Sequence, residues 1–191
     1  MEGTSHPLAA PPENRRPSRT KLEVRPARPN DISKLSRFMV KAWQEAGPEA
    51  LGFRGATSEA VLEITSERFL QRRLASPGTQ LIVADDGSGF IGMASLRAVS
   101  PRETELTGMA VLKGFSDAGV ETRLLNKATD AARRRGYRLL LAKTEMADER
   151  AVRFYVESGF TQSGKTTLKV GRTKLGFLLM EMKLSPGRRH R

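Results

Sequence analysis

The stretch Gly159-Phe160-Thr161-Gln162-Ser163-Gly164-Lys165-Thr166 satisfies the phosphate-binding pattern G-x-x-x-x-G-K-T residue for residue, and Leu81–Asp86 imitates its usual strand-plus-aspartate partner. That chemistry is nucleotide hydrolysis. It needs a strand before the loop and a helix after it, so that loop amides and the helix N-terminus face the phosphates. Here the order is inverted: Glu149–Ser158 has helical periodicity, the residues after Thr166 read as extended, and only 25 residues remain. The pattern is therefore rejected. Cysteine is absent, which excludes disulfides, thiolate nucleophiles and thiolate-bound metal. The two histidines, His6 and His190, lie in the terminal segments, so neither a Ser/His/Asp triad nor a histidine-rich metal site has a scaffold to stand on. No metal is expected.

Other chemistry must be positioned by the elements that the apolar spacing defines. Leu22–Arg25 reads as a short strand. Asn30 or Asp31 caps a helix buried through Ile32, Leu35, Met39, Ala42, Trp43 and Ala46, and Gly47-Pro48 stops it. A second helical region runs from Thr57 or Ser58 to about Leu74. Gln80–Ala84 and Phe90–Val99 form an antiparallel pair around Asp85-Asp86-Gly87-Ser88-Gly89. Thr104–Val111 is a strand, Val120–Arg135 an amphipathic helix ended by Gly136, and Leu139–Thr144 a continuous apolar run that reads as a strand buried on both faces. These three make a crossover with parallel strands. Glu149–Ser158 is helical, and Thr167–Val170 and Leu175–Lys183 are extended. The order predicts a mixed α/β sheet with helices on its faces.

Three segments carry a resemblance to the GNAT superfamily of acyl-CoA-dependent N-acetyltransferases, and the element order over residues 22–183 agrees with it. Asp148-Glu149-Arg150-Ala151-Val152-Arg153-Phe154-Tyr155-Val156-Glu157-Ser158-Gly159-Phe160 is similar to the family helix of Asn, two residues, Ala, two residues, Phe-Tyr, then Gly-Phe. Glu105-Leu106-Thr107-Gly108-Met109-Ala110-Val111 is similar to the fourth family strand, and Gly119-Val120-Glu121-Thr122-Arg123-Leu124-Leu125 opens the helix that meets the CoA diphosphate. The fold implied is α+β: a GNAT-like mixed, mostly antiparallel sheet with a central splayed parallel strand pair and helices on both faces. The implied activity is direct transfer of an acetyl group from acetyl-CoA to a primary amine, with no covalent enzyme intermediate. Such a transfer needs an uncharged amine, stabilisation of the tetrahedral oxyanion, and a proton donor for the leaving thiolate. On the resemblance, Tyr155 protonates the CoA sulfur, Glu105 takes the amine proton through water, and the Val111 amide polarises the thioester carbonyl. Ala118, Gly119, Val120 and Thr122 lie where the diphosphate binds, and Asp148 stands where an Asn contacts CoA.

Each of these residues has a structural alternative. Tyr155 is an aromatic on an amphipathic helix and can serve core packing, Glu105 can be an exposed strand-end carboxylate, and Asp148 can be a plain helix N-cap. The diphosphate segment Ser116-Asp117-Ala118-Gly119-Val120-Glu121 keeps only Gly119 of the family pattern of Arg or Gln, two residues, Gly, one residue, Gly or Ala. Ser116 removes a cationic or amide contact, while Asp117 and Glu121 bring carboxylates toward an anionic ligand. A non-catalytic GNAT-fold ligand-binding or regulatory protein is accordingly the second expectation.

The formal charge is +12. Residues 1–21 carry +2 and residues 183–191 carry +4, leaving +6 on the body, which favours polyanions without choosing among nucleic acid, acidic membrane and a phosphate-rich cofactor. No apolar run approaches the roughly 20 residues of a membrane-spanning helix. The expected organisation is a disordered basic, Pro-rich leader at 1–20, one acetyltransferase domain at 21–184, and a disordered basic tail at 185–191. Expected partners are acetyl-CoA and an unidentified amine, in a cytoplasmic monomer or homodimer. Nucleic acid is a lesser expectation, since Arg133, Arg134 and Arg135 suit a solvated helix end. The acceptor rim is expected in Gly47–Thr57, with Glu49 and Arg54, and in the final strands.

Overall fold

The computed structural model describes residues 22–46, 58–116, 118–170 and 173–185. The expected leader, the Gly47–Thr57 rim and the tail beyond Ser185 lie outside the described residues. The chain enters through β1 (Glu23–Pro26) and a 3-10 turn at Pro29–Asp31. Arg25 grips the buried Asp31 with both guanidinium nitrogens, Nη1 to Oδ2 at 2.6 Å and Nη2 to Oδ1 at 3.0 Å, and the Arg28 amide donates to Oδ2 at 2.7 Å. This knot fixes the start of α1 (Ile32–Ala46), whose Ile32, Leu35, Phe38, Met39 and Ala42 form one buried stripe.

The single helical region expected next is two helices, α2 (Ser58–Thr65) and α3 (Glu67–Ala75). Ser66 separates them because its extended backbone leaves the helix and its Oγ accepts from the Phe69 amide at 3.2 Å, capping α3. The sheet then forms from β2 (Thr79–Asp85), β3 (Phe90–Ser100) and β4 (Glu103–Val111), followed by α4 (Val120–Arg134), β5 (Leu139–Glu145), α5 (Glu149–Glu157), β6 (Thr161–Val170) and β7 (Thr173–Lys183). The spatial order is β1-β2-β3-β4-β5-β7-β6, antiparallel except for β4 and β5. The expected mixed sheet with one central parallel pair is the observed one. Gly159–Thr166 leads from the end of α5 into β6, which pairs with β7, so the phosphate-loop geometry is absent there.

Two cores flank the sheet. On one face α1 and α3 close over Leu81, Val83, Met93, Ala110 and Leu112. On the other, α4 packs Val120, Leu124, Leu125, Ala128 and Ala131 against Ile82, Ala94 and Leu106, and Tyr155 and Phe160 join it. Gly92 lets α4 approach β3, because a Cβ there would lie 2.9 Å from Leu124 Cδ1 and 3.2 Å from the Ala110 carbonyl oxygen.

β5 departs from expectation. Leu140, Ala142 and Thr144 are buried, but Leu139 and Leu141 are half-buried and Lys143 is exposed. The reason is coverage: α1 and α3 pack over β2 and β3, so the opposite face of β5 stays open.

Candidate active site

β4 and β5 pair in parallel from Glu103↔Leu139 only as far as Leu106↔Ala142, although both strands continue. Beyond that point they part. The opening is a cleft of about 730 Å³, lined on β4 by Glu105, Leu106, Thr107, Gly108 and Met109, on β5 by Lys143, Thr144 and Glu145, and on α5 by Asp148, Ala151 and Tyr155. A bulge in β4 helps to shape it. Ser95 faces Gly108 while Leu96 faces Leu106, which leaves Thr107 as the extra residue. That extra residue changes the parity of the strand, so Glu105 shares the α1/α3 face with Ala110 and Leu112 while Leu106, Met109 and Val111 turn toward α4.

Glu105 is buried at 7% exposure, not the exposed strand-end carboxylate of the structural alternative. Arg97 Nη2 reaches its Oε2 and Lys143 Nζ its Oε1, each at 2.8 Å. Burial pushes the carboxyl up, but the hydrogen bonds from Lys143 and Arg97, together with their charges, outweigh it and hold the group below its ordinary value. The site thus contains a carboxylate that is ionised at neutral pH. In the same cleft, Arg73 of α3 donates from Nη2 to Ser95 Oγ at 2.8 Å, and Thr107 Oγ1 donates to the Ser95 carbonyl at 3.2 Å.

Tyr155 stands across the cleft on α5. It is 9% exposed, and its ring meets Phe154 and Phe160 edge-on at 5.6 and 5.1 Å between centroids. Core packing and a place in the cleft therefore coexist in one side chain. Burial, and secondarily the charge of Asp148, push its hydroxyl up to about 12, so it is a proton donor throughout the neutral range. Asp148 is the N-cap of α5, accepting from the Ala151 amide at 3.0 Å, and it also lines the cleft.

The residues expected at the diphosphate sit at the start of α4, on the far side of the sheet from α3. Gly119 is the N-cap with φ +70°, a left-handed conformation that glycine adopts without strain, and the position a Cβ would take has nothing within 4 Å. The Ala118 amide donates to the Phe115 carbonyl at 3.1 Å, Val120 is fully buried, and Thr122 lines a second cavity of about 390 Å³ between α4 and α5. Val111 ends β4 and is not among the residues lining the main cleft. Glu121, expected to face an anionic ligand, is paired with Arg150 Nη2 at 3.0 Å.

Arg73, Arg97, Lys143 and Arg150 were not singled out from sequence. Arg97 and Lys143 follow apolar neighbours along their strands as solvent-facing residues do, and nothing local marks them. Among the described residues, no group of three His, Cys, Asp or Glu side chains could hold a metal ion, and no helix is long and apolar enough to cross a membrane.

A mostly antiparallel sheet whose one parallel pair opens over a cleft, with a buried tyrosine on the following helix and a helix N-terminus behind, defines a GNAT-type acyltransferase fold. The chain belongs to the acetyltransferase (GNAT) family, whose sequence pattern matches residues 39–160. An uncharacterised N-acetyltransferase of Mycobacterium tuberculosis is 25% identical over 141 residues, covering 74% of this chain and 90% of that protein. The structure of a GNAT-family acetyltransferase from Streptococcus pneumoniae superimposes with a TM-score of 0.68 at 20% identity, over 86% of this chain and all of the other. A PaiA N-acetyltransferase from Thermoplasma acidophilum, solved in complex with coenzyme A, superimposes at 0.65 and 18% identity, over 85% and 99% of the two chains. The protein is an N-acetyltransferase.

Proposed function

We propose that the protein transfers the acetyl group of acetyl-CoA directly to a primary amine. The single observation that carries this reading is the fork between β4 and β5, with an ionised Glu105 on one side and a protonated Tyr155 on the other. Acetyl-CoA supplies an activated thioester, and the fork offers an elongated opening between two strand edges for it. The fit at the diphosphate end is favourable in two respects. Gly119 leaves open space before the first amides of α4, where the helix dipole favours anions. The Glu121 carboxylate, a feature that favoured a non-catalytic protein, is paired with Arg150, which offsets its charge at the first turn of α4.

In this reading Ala118, Gly119, Val120 and Thr122 receive the diphosphate, Asp148 borders the acyl carrier, and the Val111 amide polarises the carbonyl. Tyr155 gives its proton to the departing sulfur. Glu105 accepts the amine proton through water. Its lowered basicity suits that task, because a nitrogen becomes far more acidic once it has attacked a carbonyl, and a carboxylate of modest basicity then suffices. Calorimetry with acetyl-CoA, followed by thiol release across a panel of amines, tests the proposal. Saturable binding and amine-dependent release are expected; binding without release for any amine would return the protein to the ligand-binding class.

A further inference from the structure

The cleft carries Glu145 and Asp148 on its β5 and α5 side, whereas Arg73, Arg97 and Lys143 line it together with Glu105, which pairs with Arg97 and Lys143. Arg97 and Lys143 are both engaged by Glu105. Arg73 is different. It is half-buried, its guanidinium donates to the hydroxyl of Ser95, and among the described residues no carboxylate pairs with it. Burial, and then the charge of Arg97, push it below the usual arginine value, so the folded protein keeps a cation at a position where both the solvent loss and the neighbouring charge oppose it.

The face matters as well. Ser95 and Arg97 project from β3 on the α1/α3 side, as Leu81 and Met93 do, and Glu105 and Lys143 share that side. The N-terminus of α4 lies on the other side. A carrier whose phosphates rest on α4 must pass its thioester through the fork, so the acceptor meets it from the α3 side. Ser95, which holds Arg73, is two residues along β3 from Arg97, which holds Glu105, a separation of about 6–7 Å.

Resting on the acetyl-transfer reading above, we infer that the acceptor is a small amine bearing a carboxylate or phosphate a few bonds from its nitrogen, and that Arg73 binds that anion while the nitrogen lies beside Glu105. Arg97 reinforces the field, and Ser95 with Thr107 holds the Arg73 fork in place. The pairing releases Arg73 from its isolation, because a bidentate anion satisfies a guanidinium in the geometry that the hydroxyl of Ser95 meets only in part.

The test compares matched acceptors in a thiol-release assay with full-length protein. One arm pairs ω-amino acids of two to five carbons with their carboxamides; the other pairs O-phosphoethanolamine with ethanolamine. The wild type is expected to favour the anionic member of at least one pair in kcat/KM, and the arm that shows the preference tells carboxylate from phosphate. In Arg73→Gln the ratio of anionic to neutral kcat/KM should fall roughly 10- to 150-fold, the range for a hydrogen bond to a charged group. Arg73→Lys, which keeps the charge but not the fork, should fall between. Equal rates for charged and neutral members in the wild type overturn the inference even if every variant misfolds, as does a ratio that survives Arg73→Gln. Turnover of neutral amines alone leaves acetyl transfer standing while removing the anion site; no turnover of any amine removes both.

Discussion

Lys143 Nζ lies 2.8 Å from Glu105 Oε1 at the point where β4 and β5 stop pairing. Glu105 is level with Leu141 across the parallel ladder, and Lys143 is two residues further along β5 on the same face. The ion pair thus bridges the strands just where their backbone hydrogen bonds end. It couples the shape of the fork to the ionisation of its carboxylate.

Replacing Lys143 with Met removes a hydrogen bond and a charge but leaves the burial of Glu105 in place. The Glu105 carboxyl should then rise, and the acidic limb of kcat/KM should move to higher pH. Glu105→Gln should lose about 100- to 10,000-fold, recovering in part at high pH, where more of the acceptor amine is already neutral. An unchanged acidic limb in Lys143→Met would remove Glu105 from proton transfer.

Tyr155→Phe should lower turnover about 10- to 1000-fold with little change in acetyl-CoA affinity, because it removes a proton donor and keeps the ring. The same variant has a stability signature. The folded hydroxyl sits at about 12 against an ordinary 10.0, so the stabilisation is fully present below pH 10 and is lost as pH rises through 12. At about 1.4 kcal/mol per unit, wild type should lose roughly 2–3 kcal/mol across that window beyond what Tyr155→Phe loses. Urea denaturation at both ends of the window measures it, and equal losses would contradict the buried hydroxyl.

Glu121→Gln should tighten acetyl-CoA binding by a few-fold, since it removes the carboxylate that now engages Arg150, and Arg150→Ala should weaken it by a similar factor. The modest size follows from exposure: the Arg150 side chain is 72% accessible, and solvent screens the contact. Calorimetry on the two single variants and the double variant separates the contributions. If Arg150→Ala binds as tightly as wild type, the arginine does not face the diphosphate.

Asp31→Asn should destabilise the fold by roughly 2–4 kcal/mol, because it breaks a bidentate, mostly buried pair that also holds the Arg28 amide. The Arg25 hydrogen bond holds the Asp31 carboxyl below its ordinary value against the opposing effect of burial, with the Arg28 amide adding to it. Its contribution is therefore present above the usual aspartate range and is lost as pH falls through the lowered value. Asp31→Asn should lose less than wild type on acidification below pH 4, as thermal melts would show.

Much of this protein is written locally. The buried stripe of α1, the Asp85–Gly89 hairpin and the strand-helix-strand order of residues 103–145 follow from apolar spacing and turn residues, which act over a few positions. The helix before Gly159 is legible in the same way, whereas the Phe154-Tyr155 and Gly159-Phe160 pairs speak only through their resemblance to the family helix. The break at Ser66 escaped because a serine tolerated within a helix is also a competent cap, and only the backbone turn decides. The chemistry at Glu105 was a different matter. Its two cations stand 8 residues before it and 38 after it, on neighbouring strands, and only strand register brings them together. Arg150 and Glu121 meet across two helices for the same reason. Arg73 acquires its meaning from burial, which no spacing rule encodes. Local sequence placed the tyrosine and the strands; the pairing of β3, β4 and β5 decided which charges each site residue would face, because electrostatic energy depends on distance through space and on solvent access, not on separation along the chain.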